Sequence, residues 1–118
     1  MYSLPHLTRL GLAASDATRL RLLQALAGGE LCACQLVALV GLANSTVSRH
    51  LAVLEQAGLV EHRKSGRWVH YRLARPTPLA RMLLRTIAGL TELEPDRHRL
   101  TTLRTTDRDA LCRQQRKN

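Results

Sequence analysis

Leu4, Leu7, Leu10 and Leu12 recur at roughly helical spacing around Pro5, a residue suited to a first turn, and predict a short helix whose apolar face has little within itself to bury against. Ser15 or Asp16 can cap the next helix, which carries Leu20, Leu23 and Leu26 inward and ends at Gly28-Gly29. A third helix is predicted from Cys32 or Cys34 to Val40, stopped by Gly41. A fourth begins at Asn44 or Ser45, aligns Val47, Leu51 and Leu54 on one stripe, and ends at Gly58.

The period then changes from helical to alternating. Leu59 to Arg63 and Arg67 to Leu73 favour strand, with Val69, Tyr71 and Leu73 on one face and Trp68, His70 and Arg72 on the other. Trp68 and His70 are expected to pack at the hairpin base, and Lys64-Ser65-Gly66 is the predicted turn, with glycine where a positive φ is needed. Pro76 and Pro78 mark a boundary before a last helix with Leu79, Met82, Leu83, Ile87 and Leu90, reaching about Leu93; it too is apolar enough to need a partner. Beyond Pro95 the chain is polar, basic and weakly periodic, read as a tail that holds a short helix around Leu100 to Leu103 or is disordered. Three helices, a tight turn, a fourth helix and a two-stranded hairpin, in that order, make a winged helix-turn-helix. The expected fold class is therefore mainly α with a small β-hairpin, residues 1–94 forming the domain and residues 95–118 a basic C-terminal tail.

Composition adds a partner to this picture. The 118 residues suit one domain, small enough for a partner subunit to contribute much of its stability. The net charge of +9, mostly arginine spread along the chain, points to a polyanion, nucleic acid first, against the alternative of a merely solvated basic surface. Three cysteines, two of them one residue apart, do not make a secreted disulfide framework, so a reducing cytoplasm fits better. The N-terminal residues do not read as a signal peptide. The longest apolar stretch, Leu31 to Ala43, is interrupted by Gln35 and Gly41 and is too short to cross a bilayer, so no membrane partner is expected.

In a winged helix-turn-helix the first turn of the second helix of the pair enters the major groove of double-stranded DNA. That turn offers Asn44, Ser45, Thr46, Ser48 and Arg49, with His50 just behind, and Arg49 suits bidentate pairing with guanine. Arg63, Lys64 and Arg67 at the hairpin tip would straddle phosphates. The plain alternative is a helix and loop that are polar because water faces them.

The stretch from Glu30 to Leu73 resembles the ArsR/SmtB metalloregulatory repressors, and their arsenic-responsive branch in particular. The resemblance rests on Glu30-Leu31-Cys32-Ala33-Cys34-Gln35-Leu36, Ser48-Arg49-His50-Leu51-Ala52-Val53-Leu54, and the run Arg63 to Leu73, read RKSGRWVHYRL. It implies a homodimer joined through the first and last helices, which would bury both unpartnered stripes. It also implies operator binding that represses an arsenic-resistance operon, relieved by an inducer. Cys32 and Cys34 fall on the family's Cys-x-Cys motif, so the resemblance implies that they bind As(III) or Sb(III). Soft thiolates with no carboxylate or histidine ligand nearby agree with that ion class. Residues two apart on a regular α-helix point about 200° from each other, so two such thiols cannot share an ion unless the start of the third helix distorts.

The chain departs from the pattern at Val37, where the arsenic branch often carries a third cysteine. Cys112 could fold back to supply that ligand or be a bystander, and a small thiol or hydroxide could complete the shell instead. Two thiols would also suit a methylated trivalent arsenical. The cadmium and lead sensors add cysteines from the N-terminal segment, and none precedes Cys32. A zinc-type match through Asp96, His98, Asp109 and Cys112 is out of register and reads as chance. Rival readings keep the repressor but make the thiols oxidation sensors, or make the chain a thiol oxidoreductase or an architectural DNA protein without a ligand. The reading is not of an enzyme, since no acid–base partner lies near the thiols.

Overall fold

The computed structural model describes residues 2–116. In chain order the elements are α1 (Leu4–Ala14), α2 (Ala17–Ala27), β1 (Leu31–Cys32), α3 (Ala33–Val40), α4 (Asn44–Gln56), β2 (Val60–Ser65), β3 (Trp68–Leu73), α5 (Pro78–Ala88), a 3₁₀ turn (Thr91–Leu93), α6 (Glu94–Thr105) and α7 (Arg108–Arg116). The helix starts follow their capping chemistry. Ser3 Oγ accepts from His6 N ahead of Pro5 in α1, Asp16 accepts from Arg19 N at the head of α2, and Thr77 accepts from Ala80 N at the head of α5. Leu22, Leu23, Leu36, Leu51, Leu54 and Val47 are fully buried and form the centre of the core.

Gly41, at φ 70, takes the left-handed conformation that ends α3, and α4 restarts at an angle of 109° to it. That is the crossing expected of a helix-turn-helix. Between β2 and β3, Ser65 pairs with Trp68, so the two-residue turn is Gly66-Arg67, shifted toward the C-terminus from the expected Lys64-Ser65-Gly66. Gly66, at φ 61, supplies the positive dihedral.

The expected two-stranded hairpin is a three-stranded antiparallel sheet in the order β1-β3-β2. Leu31 pairs with Tyr71 and Cys32 with His70. A strand of two residues is too short to show alternation, which is why the pattern did not reveal it.

The tail also differs from expectation: residues 94–105 and 108–116 are helical. Pro95 lies in the first turn of α6, where a proline opens a helix rather than ending one. Few apolar side chains hold α6, and polar anchors do much of the work. Arg21 grips Asp96 at 2.8 and 3.0 Å, Gln35 Nε2 donates to the Leu103 carbonyl at 3.3 Å, and Arg99 donates to the Ala38 carbonyl at 3.0 Å. The Asp96 hydrogen bond raises the Arg21 pKa further, so this partner is a cation at any working pH. Leu4, Leu7, Leu12 and Met82 remain exposed on α1 and α5, and Leu7, Leu10, Leu79, Met82 and Leu83 line one groove between these helices.

Candidate functional site

The head of α4 is open. Its N-cap, Ala43, offers no side-chain hydrogen bond, and Asn44, Ser45, Ser48 and Arg49 are exposed, with Thr46 half-buried. Val47, Leu51 and Leu54 bury the opposite face, so the polar residues are held outward by core packing. A helix N-terminus with free N–H groups and hydroxyl side chains suits phosphate oxygens and base edges. Lys64 is exposed on the wing, while two neighbouring arginines are engaged within the chain. Arg63 pairs with Glu30 at 2.7 Å, and Arg67 pairs with Asp109.

His50 sits differently from the other residues expected at this surface. Its Nδ1 lies 3.0 Å from Arg19 Nη1, and a guanidinium can only donate, so Nδ1 accepts and the ring proton is on Nε2. Arg19 is itself buried and donates to the Ala13 and Leu12 carbonyls, at 3.1 and 2.7 Å. His50 therefore ties α4 to the corner between α1 and α2. Asp16 belongs to the same corner. Burial pushes its carboxyl up, but the Arg19 N–H and the neighbouring Arg19 charge together hold it below the ordinary aspartate value.

The thiols occupy two environments. Cys32 is the last residue of β1 and the N-cap of α3, with extended backbone, and is 1% exposed. Its N–H donates to Gln35 Oε1 at 2.9 Å. The premise that both cysteines lie on one regular helix is thus corrected: only Cys34 is helical. Cys34 is joined to Cys112 by a disulfide that brings their Cα atoms to 5.5 Å. Cys32 is a free thiol. The fold therefore brings Cys112 onto Cys34 and leaves Cys32 buried at the end of β1. Among the described residues no three His, Cys, Asp or Glu side chains already form a metal-holding group. The zinc-type residues are dispersed accordingly, Asp96 on Arg21, Asp109 on Arg67 and Cys112 on Cys34.

The helix that delivers Cys112 also touches the wing. At its start, Arg108 lies over the Trp68 ring at 5.5 Å, while Arg67 approaches the same ring at 5.3 Å. Near its end, Gln115 Nε2 donates to the Cys34 carbonyl at 2.8 Å. Gln114 and Gln115 line a cleft of about 410 Å³ together with Asn44 and Arg99. His70, buried as expected at the wing base, has Nδ1 3.4 Å from Glu30. Burial, and then the Glu55 charge, raise the Tyr71 pKa on the same strand. Sequence reasoning gave none of these roles to Arg19, Gln35, Asp109 or Gln115, Asp109 having entered it only in the chance zinc-type match. Only the Gln35 position, three residues after the Cys32 cap, carried a local signal of its role.

A family model described as bacterial regulatory protein, arsR family, matches residues 16–62. The arsenical resistance operon repressor of Escherichia coli K12 is 45% identical over 65 residues, which are 54% of this chain and 56% of that protein. The chain thus spans about half the length of such curated relatives. Among solved structures, the cadmium metal-sensor CmtR from Mycobacterium tuberculosis is 42% identical, with a TM-score of 0.54, covering 73% of this chain and 84% of that one. The homodimeric winged helix-turn-helix DNA-binding domain of Mb0332 from Mycobacterium bovis is 31% identical, with a TM-score of 0.59, covering 79% and 81%.

Proposed function

The chain belongs to the arsR family of bacterial regulatory proteins, and from that premise we propose that it is a homodimeric repressor of an arsenic-resistance operon, released from operator DNA by As(III) or Sb(III). The inducer is bound by Cys34 and Cys112 with Cys32 as the third thiol. Asn44, Ser45, Thr46, Ser48 and Arg49 read the groove, Arg63, Lys64 and Arg67 meet phosphates, and His50 steadies the reading helix. The observation that carries the ligand assignment is the joining of Cys112 to Cys34 at the head of α3, because it supplies the sulfur that Val37 fails to provide. Soft sulfur donors fit a thiophilic ion, and the disulfide must first be reduced to thiols. The pairing of dimer faces is supported by the exposed leucines of α1 and by Met82 of α5.

Cys32 gives the release mechanism its physical basis. Its backbone is paired with His70 and its thiol is buried, so sharing an ion with Cys34 pulls the end of β1 away from the wing strand. The inducer then favours a state in which wing and reading helix no longer keep their spacing, and DNA affinity falls by the ratio of its affinities for the two states. X-ray absorption on the arsenite-bound reduced protein is expected to show three sulfurs around arsenic, falling to two in Cys112→Ser. Release of operator DNA by arsenite that persists in the Cys32→Ser, Cys34→Ser double variant would refute the site. Cadmium is titrated alongside, because one similar structure is a cadmium sensor.

The Cys34–Cys112 bond also favours a second reading, in which the same repressor responds to oxidation. Peroxide takes two electrons and two protons from the thiol pair, leaving a disulfide and two waters. Operator binding followed during peroxide and arsenite titrations separates the readings.

A further inference from the structure

The helix that carries Cys112 does more than deliver a sulfur. Asp109 lies one turn before Cys112 on α7, and its carboxylate occupies Arg67 at the turn of the wing. The pair is solvent-accessible, with 66% of the Arg67 side chain and 44% of the Asp109 side chain exposed. Out there a phosphate oxygen has the same claim on the guanidinium as a carboxylate oxygen, since both accept its charge-assisted hydrogen bonds. Arg108, the neighbour of Asp109, adds a second contact by lying over Trp68. The disulfide and the Gln115 bond to Cys34 fix the other end of α7 on α3. A group held in place this way competes at a high effective concentration without needing an intrinsically strong contact.

We propose that α7 is an intramolecular competitor of DNA at the wing: Asp109 stands in for a phosphate on Arg67, and the Cys34–Cys112 bond keeps it there. The inference rests on the reading that Arg67 meets DNA. The bond is opened by a dithiol such as dithiothreitol, which closes to its own cyclic disulfide while Cys34 and Cys112 take up two electrons and two protons and become thiols. Opening it removes the covalent tether and leaves α7 on the wing through the exposed Asp109–Arg67 pair, the Arg108–Trp68 contact and the Gln115 hydrogen bond, which together hold it less firmly.

The test uses the full chain with its disulfide intact and a random-sequence duplex, because phosphate contacts do not depend on base sequence. Fluorescence anisotropy over a salt series is expected to show Asp109→Asn binding about two- to fivefold more tightly than the unmodified chain, with a salt slope steeper by about one per protomer. Glu92→Gln, which removes one negative charge from an exposed site elsewhere, is expected to produce a smaller gain. In an Arg67→Ala background the gain from Asp109→Asn should fall to that of Glu92→Gln. Dithiothreitol should bring the unmodified chain toward the Asp109→Asn value. Unchanged or weaker binding by Asp109→Asn, or the same gain with and without Arg67, overturns the proposal while leaving the repressor reading intact. Failure of both the unmodified chain and the variant to bind any duplex overturns the reading beneath it and this proposal together.

Discussion

The two helices of the turn begin in opposite ways. At the head of α3 polar groups find partners inside the chain: Cys32 N–H is held by Gln35, Cys34 is bonded to Cys112, and Gln115 satisfies the Cys34 carbonyl. At the head of α4 the cap is an alanine, and Asn44 and Ser45 are exposed. Only Gly41-Leu42-Ala43 separates the end of α3 from the head of α4. The difference is one of accounting for backbone groups. A helix start satisfied from within serves the fold, whereas one left to water is free to exchange that water for a ligand with acceptor oxygens.

Substitutions at the two heads should therefore report in different assays. The largest stability loss is expected from Leu36→Ala on α3, where a fully buried side chain leaves a cavity, at about 2 to 5 kcal/mol by urea unfolding. Gln35→Ala should cost about 1 to 3 kcal/mol in the same experiment, because it leaves the Cys32 N–H without its partner and removes one of the two donors to the Leu103 carbonyl. On α4, Arg49→Ala should leave the unfolding midpoint nearly unchanged and weaken specific duplex binding relative to random duplex by about 1 to 3 kcal/mol. Equal losses on both duplexes would remove Arg49 from base reading. The smallest effect is expected from Lys64→Ala, a uniform weakening on every sequence with a salt slope shallower by about one per protomer. If Ser45→Ala destabilised the fold as much as Gln35→Ala, the contrast between the two helix starts would collapse.

The α4 stripe, the glycine stop at Gly41 and the hairpin were readable because each repeats a strong local pattern. Val47, Leu51 and Leu54 recur at helical spacing, and Gly41 and Gly66 do take positive φ. What escaped was held by pairs distant in sequence. Asp96 is anchored by Arg21, and Leu103 by Gln35, so α6 gains its order from polar contacts that hydrophobic spacing cannot register. Pro95 was misleading for a related reason, since proline both ends and begins helices and only the following contacts decide. At the candidate site the motif named the residues but not their surroundings. A helix boundary falls between Cys32 and Cys34, and His50 and Arg67 look like free contacts until Arg19 and Asp109 are seen beside them.

The bond between α3 and α7 also acts on the chain when it is not folded. Cys34 and Cys112 are 78 residues apart, and closing a loop of that length removes enough freedom from the unfolded ensemble to favour the native state by about 4 to 5 kcal/mol in the chain-entropy model. That is a large share of the stability of a domain this size. Opening the bond thus multiplies the time the chain spends unfolded and within reach of proteases. Breaking the bond at Cys34 consequently shortens the time each molecule stays folded.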